Sequence, residues 1–323
     1  YTESIRAPAV TEVFLPTAQT AAFANDPCDA RFIGQGANPA RRAANCAAAG
    51  VPAGFQSIIV NASQLITVEG NPNLENEKAS AWTAGIVFTP RFLPGFTLAV
   101  DWIDIELEDA IEQLNATVIL QACYDSADFP TADVCGRFGR NANSQVINMR
   151  TGFLNAGLVD FAGLTADLAY DMSLGRFGDL RVGVNYFFLD TLDFSVTGSD
   201  FNPAAGERNN SEHRATANFV YTKGPVRWLW QTQYIGEAVF DLTDNANTRD
   251  LRGVDAFWLF NTGLAYEWSE NLSLQLNVDN VFDEEPPFGS LVGTLGGSAN
   301  QAPATYFGGL LGRAYGLTAR IKF

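Results

Sequence analysis

An alternation of apolar and polar residues recurs along the chain, and it is clearest in residues 315–323, Tyr-Gly-Leu-Thr-Ala-Arg-Ile-Lys-Phe. Read with a period of two, the five apolar residues share one face, whereas Arg320 and Lys322 lie on the other. An aromatic residue that keeps this pattern at the end of a strand indicates a strand fixed in a sheet. The segment by itself is also compatible with the last strand of a soluble β-sandwich.

The same two-faced pattern predicts nine strands. The sixth and seventh show it well, because Trp228 and Trp230 alternate with Arg227 and Gln231, and further rings follow. The segment from about residue 146 to residue 174 is interrupted by glycine and is predicted as one bent strand. The predicted strands cover residues 82–88, 96–102, 146–174, 182–188, 215–221, 226–234, 258–268, 272–278 and 315–323.

The connections between these strands alternate in length. Short turns are predicted at residues 90–95, 175–179, 223–225 and 269–271, and long polar loops at 107–145, 197–212, 242–254 and 283–308. Short turns at one end and long loops at the other are typical of an outer-membrane β-barrel, whose strands of about ten residues cross the bilayer at a tilt. The predicted fold class is therefore all-β, an antiparallel up-and-down transmembrane β-barrel with its short turns in the periplasm.

The alternation assigns an environment to each face of the predicted sheet. A sheet in lipid must close, because each backbone polar group needs a partner. The apolar face then meets lipid, and the Gln, Asn, Arg and Thr face lines a wet interior. The predicted aromatic girdle at the membrane boundaries consists of Trp228, Trp230, Trp258, Tyr266, Trp268 and Phe323. Counting strand directions from residue 80 puts Phe323 at the periplasmic rim.

Composition agrees with a membrane sheet and excludes several function classes. Charged residues make up 17% of the 323 residues, against roughly 25% in soluble domains, and 12% are aromatic. The net charge of -16 argues against nucleic-acid binding. No catalytic, phosphate-binding or metal-binding motif occurs, so we predict no enzyme activity, no cofactor and no metal site. The single histidine, His213, begins a predicted strand and is interpreted as a rim residue.

Four cysteines fall into two pairs, each inside a predicted loop. Cys28 and Cys46 form the first pair, and Cys123 and Cys135 the second. Pairing within each loop is the simplest of the three possible connectivities, and disulfides indicate an oxidising compartment. Metal binding is the alternative, but neither pair has the short CxxC spacing and no histidine lies nearby.

Five segments, in order along the chain, resemble the carboxy-terminal half of a TonB-dependent outer-membrane receptor. Residues 4–14 (Ser-Ile-Arg-Ala-Pro, then Thr-Glu-Val-Phe at 11–14) are similar to the family's F-R-A-P…E-L-F segment, and residues 70–78 to its G-N-P-x-L-x-P-E-x. Residues 98–105, residues 277–283 and the terminal phenylalanine follow in family order. Asn76 departs from the family pattern, which usually has proline there.

This resemblance implies an active-uptake receptor with an amino-terminal plug inside a barrel of about 22 strands. The family imports scarce ligands such as ferric siderophores, cobalamin or oligosaccharides, and the inner-membrane TonB, ExbB and ExbD proteins energise it. The chain shows nine or ten strands and no plug. We therefore expect residues 1–323 to be the carboxy-terminal part of such a barrel, an incomplete one. The terminal strand resembles the signal that the outer-membrane assembly machinery reads.

In the family, ligands contact the long loops, the upper barrel wall and the plug. The corresponding loops here are residues 15–70, 107–145, 241–255 and 284–308, and residues 109–121 are predicted as a short loop helix. One loop carries a run of charged residues that could bind a cation or sugar hydroxyls. The run contains Asp241, Asp244, Arg249, Asp250, Arg252 and Asp255. The alternative is a solvated loop beside lipopolysaccharide.

Two further functions stay open from the sequence. A passive porin or an adhesin-type barrel would share the aromatic girdle and the terminal phenylalanine, and a plug encoded upstream would exclude it. A secreted β-sandwich that binds carbohydrate would be soluble without detergent.

Overall fold

The computed structural model describes residues 1–36, 38–155, 157–196, 201–242, 252–287 and 304–322. Its strands, in chain order, are β1 (Thr2–Arg6), β2 (Ala18–Ala22), β3 (Gln64–Glu69), β4 (Glu77–Phe88), β5 (Phe96–Glu108), β6 (Ile111–Leu114), β7 (Gly139–Arg140), β8 (Val146–Ile147), β9 (Arg150–Asn155), β10 (Leu158–Ser173), β11 (Asp179–Ser195), β12 (Asn202–Pro203), β13 (His213–Lys223), β14 (Val226–Ile235), β15 (Ala238–Val239), β16 (Gly253–Val254), β17 (Phe257–Ser269), β18 (Leu272–Asp279) and β19 (Ala314–Ile321).

The helices are few and short. They are α1 (Val10–Phe14), α2 (Pro39–Ala48) and α3 (Ala116–Asp125). Single 3-10 turns cover Ile58–Val60, Asp133–Arg137, Gly175–Phe177 and Ala304–Gly309. Within the described ranges, no helix has both the length and the apolar character that a bilayer-spanning helix needs.

Ten antiparallel strands form one continuous sheet, here called the wall. Their order is β1-β4-β5-β10-β11-β13-β14-β17-β18-β19, and β12 adds a short ladder to β11. The first and last strands of this order pair on one side only, so the described sheet is not closed. An unclosed antiparallel meander of this kind is consistent with part of a β-barrel, as the sequence predicts.

The connections of the wall confirm the predicted alternation. Two residues separate β13 from β14 and two separate β17 from β18, whereas five separate β10 from β11 and seven separate β4 from β5. The other connections are long, and all leave from the opposite end of the sheet. Eight of the nine predicted strands are present near their predicted positions, and most run longer than the apolar pattern alone indicates.

The structure corrects two predictions. Residues 146–174 are not one bent strand, because β9 belongs to a different sheet and only β10 belongs to the wall. The predicted loop helix over residues 109–121 begins later, at Ala116, because Ile111–Leu114 forms strand β6. The tenth wall strand, β1, lies in a segment for which the alternating pattern predicts no strand.

The wall separates its side chains as the alternation predicts. Leu264, Leu276 and Leu317 are neighbours across β17, β18 and β19, and they are 45%, 44% and 79% exposed. The next register position on the opposite face holds Gln275 between Ala265 and Thr318. One face of the wall therefore presents bare aliphatic side chains, whereas the other presents polar ones.

Residues 18–69 and 110–155 form a separate compact unit, here called the disulfide module. It contains α2, α3 and the small sheet with the order β2-β3-β9-β6, in which β3 and β9 are parallel. Gly152 has a φ of +141° where β9 passes β3, and a Cβ there would lie 2.0 Å from the Glu69 carbonyl oxygen. Only glycine fits this approach.

The module is attached to the loop end of the wall. The Ile111 amide donates to the Glu77 carboxylate at 2.7 Å, and Arg6 of the edge strand also bonds Glu77. The Asn155 side chain donates to the carbonyls of Glu75 (3.1 Å) and Asp109 (2.6 Å). These bonds fix the module where β4 begins and β5 ends.

Candidate functional site

A cavity of about 430 Å³ lies between the disulfide module and the loop end of the wall, where β10 begins and β11 ends. Its volume is in the range of small-molecule sites. The module contributes α2, β6 and α3, and the wall contributes Val159 and Phe194, which are paired in the β10–β11 ladder. By register these two residues share the face of Asp167 and Asn185, so the cavity opens over the polar face of the wall.

The two helical sides of the cavity begin at asparagine caps. The Asn38 side chain accepts from the Arg41 amide at 3.0 Å, and Pro39 takes the first helical position of α2. The Asn115 side chain accepts from the Val118 amide at 3.1 Å at the start of α3. Asparagine caps and an early proline are strong start signals, which is why these two short helices form at these positions.

Each helix is also tied to its own loop by a disulfide. Cys46 of α2 is bonded to Cys28, with their Cα atoms 5.6 Å apart, and Cys123 of α3 is bonded to Cys135, with their Cα atoms 5.0 Å apart. The structure therefore has the pairing within each loop that the sequence predicts. Cys28, Cys46 and Cys123 are each 1% exposed and belong to the module's apolar core.

A buried ion pair joins α2 to α3 at the cavity. The Arg42 guanidinium, 2% exposed, donates to Asp125 through Nε at 2.6 Å and through a second nitrogen, and its Nη1 donates to the Phe32 carbonyl at 2.9 Å. Asn45 adds donations of 2.9 Å to the carbonyls of Tyr124 and Ser126. A planar guanidinium that is fully hydrogen-bonded in this way holds two helices in one geometry.

A second buried pair supports the module behind the cavity. Arg140 donates to the Asp26 carboxylate at 2.7 Å and to the Tyr124 hydroxyl at 2.7 Å. Its guanidinium also lies 5.1 Å from the centroid of the Tyr124 ring, a cation–π contact. Burial raises the pKa of Tyr124, and the charge of Arg140 opposes part of that rise.

A third carboxylate, Asp29, fixes the loop that carries Cys28. It accepts from Arg31 Nε at 2.8 Å and from the Ser57 amide at 2.7 Å. Burial alone would raise the pKa of Asp29, but these hydrogen bonds outweigh it and hold the pKa below its usual value. Asp29 therefore stays ionised at neutral pH and bonds best in that form.

The rest of the cavity lining is aromatic and amide-rich. Phe194 and Phe201 line it, and they are 38% and 37% exposed. Carboxamide side chains lie around them. These are Gln35, Asn38, Gln113, Asn115, Gln121 and Asn202.

The six charged loop residues that the sequence predicts as a ligand site lie in different places. Asp241 lines the cavity. Arg252 and Asp255 are exposed and are not among the lining residues. Asp244, Arg249 and Asp250 lie outside the described residues. Among the residues that are described, no group of three His, Cys, Asp or Glu side chains is placed to hold a metal ion.

The predicted aromatic girdle residues lie on the apolar face of the wall, apart from Phe323, which is outside the described residues. Trp228, Trp258, Tyr266 and Trp268 are 40–68% exposed. Tyr234, Trp258 and Phe260 form a continuous series of ring contacts with Trp230, at centroid distances of 4.4–6.2 Å. Their position at the membrane boundary stays a prediction.

The opposite face of the wall carries a ladder of amide side chains. Gln231 donates to Asn218 at 2.9 Å and accepts from Asn261 at 3.1 Å, which links three neighbouring strands. Gln275 donates to Asn277 at 2.9 Å two strands further along. The polar side chains on this face form hydrogen bonds with one another, so the face is suited to contact with water or with another polar surface.

The predicted loop ranges contain most of the cavity lining, but the sequence does not single out the residues that matter. Arg42 and Asp125 are 83 positions apart, and nothing in the sequence pairs them. The only usable signals are Asn-Pro at residues 38–39 and the cap residue Asn115, which mark helix starts. Those signals predict α2 and α3 but not that they face each other.

The polypeptide fold matches solved ferric enterobactin and siderophore receptors at low sequence identity. A ferric enterobactin receptor from Pseudomonas aeruginosa, solved with enterobactin, superposes with a TM-score of 0.57 at 13% identity, over 99% of this chain and 37% of that one. Another structure of that receptor gives a TM-score of 0.52 at 15% identity, over 81% of this chain and 33% of that one.

A siderophore receptor, PirA, from Acinetobacter baumannii gives a TM-score of 0.50 at 15% identity, over 82% of this chain and 34% of that one. The chain thus spans about a third of the length of these structures, and the likeness concerns the fold. No curated protein matches the sequence.

The sequence itself carries a family match. The protein-family model described as TonB dependent receptor-like, beta-barrel matches residues 1–281 of this chain. This family consists of outer-membrane transport receptors and not of enzymes, and the open antiparallel wall agrees with its barrel. The chain therefore belongs to the TonB-dependent receptor β-barrel family.

Proposed function

We propose that this chain forms the carboxy-terminal part of the barrel of an outer-membrane receptor that imports a scarce ligand with energy from the TonB complex. The observation that carries the proposal is the two-faced wall of ten strands with its cavity at the loop end. An apolar outer face suits lipid, a polar inner face suits a wet passage, and a cavity at the loop end suits capture from outside.

The candidate ligands are proposed from the similarity of this chain to other receptors, and they cover more than one class of compound. The structures similar to this chain are receptors for ferric enterobactin and for siderophores. This likeness favours a ferric siderophore, and membership of the TonB-dependent family adds cobalamin and an oligosaccharide as candidates. Each of these ligands is scarce and is too large to pass through passive pores, so its import requires active uptake.

The partners are proposed on the same basis. We infer contact with the TonB, ExbB and ExbD proteins through a region outside residues 1–323. We also propose that β19 and Phe323 address the barrel to the outer-membrane assembly machinery, and that the loop end borders lipopolysaccharide. The match to a TonB-dependent family supports the first of these partners most directly.

Energy dependence is the test. The protein is expressed from its native gene in its host, and accumulation of ferric enterobactin, cobalamin and labelled neutral oligosaccharides is compared with that of a deletion strain. A protonophore should abolish the gene-dependent accumulation of the true ligand. Accumulation that survives the protonophore would instead identify a passive porin, and no gene-dependent accumulation with gene-dependent cell adhesion would identify an adhesin.

A further inference from the structure

Both arginines that line the cavity already have hydrogen-bond partners within the protein. Arg42 is committed to Asp125 and to the Phe32 carbonyl, and it is almost wholly buried. Arg41, the other lining cation, donates to the Asp125 carbonyl at 3.3 Å. Both cations therefore belong to the structure that holds α2 against α3.

Three carboxylate side chains line the same space. Glu112, Asp125 and Asp241 line the cavity against the two arginines. A ligand with several negative charges would lose hydration in this space and meet carboxylates there, whereas the two lining arginines are already engaged within the protein. The described lining therefore favours a neutral ligand over a polyanion, because carboxylates near the site disfavour a ligand of like charge.

Neutral hydrogen-bonding groups are available instead. In the part of the chain that the structure describes, the side chains of Gln113, Gln121 and Asn202 make no hydrogen bond, although all three line the cavity. A carboxamide offers two donors and an acceptor with two lone pairs, which matches hydroxyl groups that both donate and accept. The three residues come from β6, α3 and β12, so they surround the space from different elements.

Two aromatic rings complete the set. Phe194 and Phe201 line the cavity and keep more than a third of their surface exposed. The C–H face of a sugar ring can pack on such rings while its hydroxyl edge bonds to amides. A cavity with apolar rings and a few neutral polar groups is typical of a small-molecule site in which the polar groups set the orientation.

We propose that this cavity binds an uncharged, polyhydroxylated ligand of the oligosaccharide class, and that it selects against anionic ferric siderophores. The inference rests on the proposed receptor function, because it names the ligand of that same site. Its basis is the combination of arginines that are engaged within the protein, carboxylates in the lining, carboxamides without a hydrogen bond, and exposed aromatic rings.

The test is a binding titration with the detergent-solubilised protein expressed from its native gene. The probes are short neutral oligosaccharides of glucose, xylose, mannose and galactose, and ferric enterobactin as the anionic probe, each followed by calorimetry. At least one oligosaccharide series should bind, and its Kd should change by less than about twofold between low and high salt, because no charge pair is formed. Ferric enterobactin should not compete.

Three variants localise the site. Gln121→Ala should weaken oligosaccharide binding by about three- to tenfold, as expected for one lost hydrogen bond, and Phe194→Ala should weaken it at least as much. Gln275→Ala, a carboxamide on the polar face of the wall that does not line the cavity, is the matched control and should leave Kd unchanged. Heat-modified mobility on gels checks that each variant is folded.

The outcomes separate the inference from the proposed function. Absence of oligosaccharide binding, or salt-sensitive binding of ferric enterobactin that Gln121→Ala weakens, overturns the inference while active uptake stands. Oligosaccharide binding with accumulation that ignores the protonophore supports the inference and overturns active uptake.

Discussion

The wall and the disulfide module differ in where their apolar side chains lie. In the wall, Leu317 and Ile321 are 79% and 58% exposed, whereas Ile119 and Leu120 of the module are fully buried. The wall is held by its continuous backbone ladder, and its apolar face needs lipid. The module is held by a packed core, two disulfides and buried ion pairs, and it needs only water around it. The two regions are therefore stabilised by different interactions. The wall is suited to a lipid environment and the module to water.

Removal of the α2–α3 ion pair should affect the module most. We expect Arg42→Ala to destabilise the module by about 3–5 kcal/mol, because Asp125 is left largely buried without its partner. Hydrogen exchange measured by mass spectrometry should speed up in α2 and α3 and stay unchanged in β17 and β18. The matched control is Arg150→Ala, an exposed arginine of the same module that donates to the Gly136 carbonyl at 3.1 Å, and it should leave exchange in α2 and α3 unchanged. Equal acceleration in the wall would remove the distinction between the two regions.

Loss of the first disulfide should come next in size. A double Cys28→Ser and Cys46→Ser variant opens a link across 18 positions, which costs roughly 3 kcal/mol in the chain-entropy description. Protease digestion should then cut within residues 18–69 while the wall strands stay intact. A protease pattern identical to that of the parent protein would contradict a structural role for the bond.

A charge on the apolar face of the wall should affect only the wall. Leu276→Arg should cost roughly 2–4 kcal/mol near the membrane midplane, whereas Gln275→Arg on the adjacent position should be mild. Refolding of both variants into lipid vesicles from urea gives the comparison. If both arginines are tolerated equally, the assignment of the faces is wrong.

Acid should weaken the module through Asp29. The pKa of Asp29 is lowered in the folded protein, so its contribution is complete above the unfolded pKa, about 3.9, and is lost as the pH falls through the folded pKa. Near-ultraviolet circular dichroism should report loosening below that range. In Asp29→Asn this acid step should be smaller, and an unchanged step would assign it to another carboxylate.

Much of the wall could be predicted from the sequence because its physics is local. Period-two alternation identifies strands such as β18, and turn length orients them, without any knowledge of distant contacts. Boundaries were harder to predict, since β10 and β11 extend beyond their apolar residues into the loop end. Strand β1 (Thr-Glu-Ser-Ile-Arg) shows no alternation because Ile5 is its one strongly apolar residue, and only its pairing with β4 identifies it as a strand.

The cavity could not be predicted in the same way because its contacts are distant. The two disulfides lie within single loops and could be proposed from spacing. The pairing of Arg42 with Asp125 and of Arg140 with Asp26 depends on how α2, α3 and β7 pack, and no local pattern records it. The charge run at residues 241–255 is distinguished by composition alone, and of its described members only Asp241 lines the cavity.

The most direct test of the central claim, that one face of the wall meets lipid and the other meets water, is spin-label accessibility along β18. Single cysteines at positions 272–279 are introduced into the protein in lipid vesicles, where the native cysteines are all paired. Collisions with oxygen should peak at even positions such as 276, and collisions with a water-soluble nickel complex at odd positions such as 275. Uniform nickel accessibility along the strand would contradict a membrane-spanning wall.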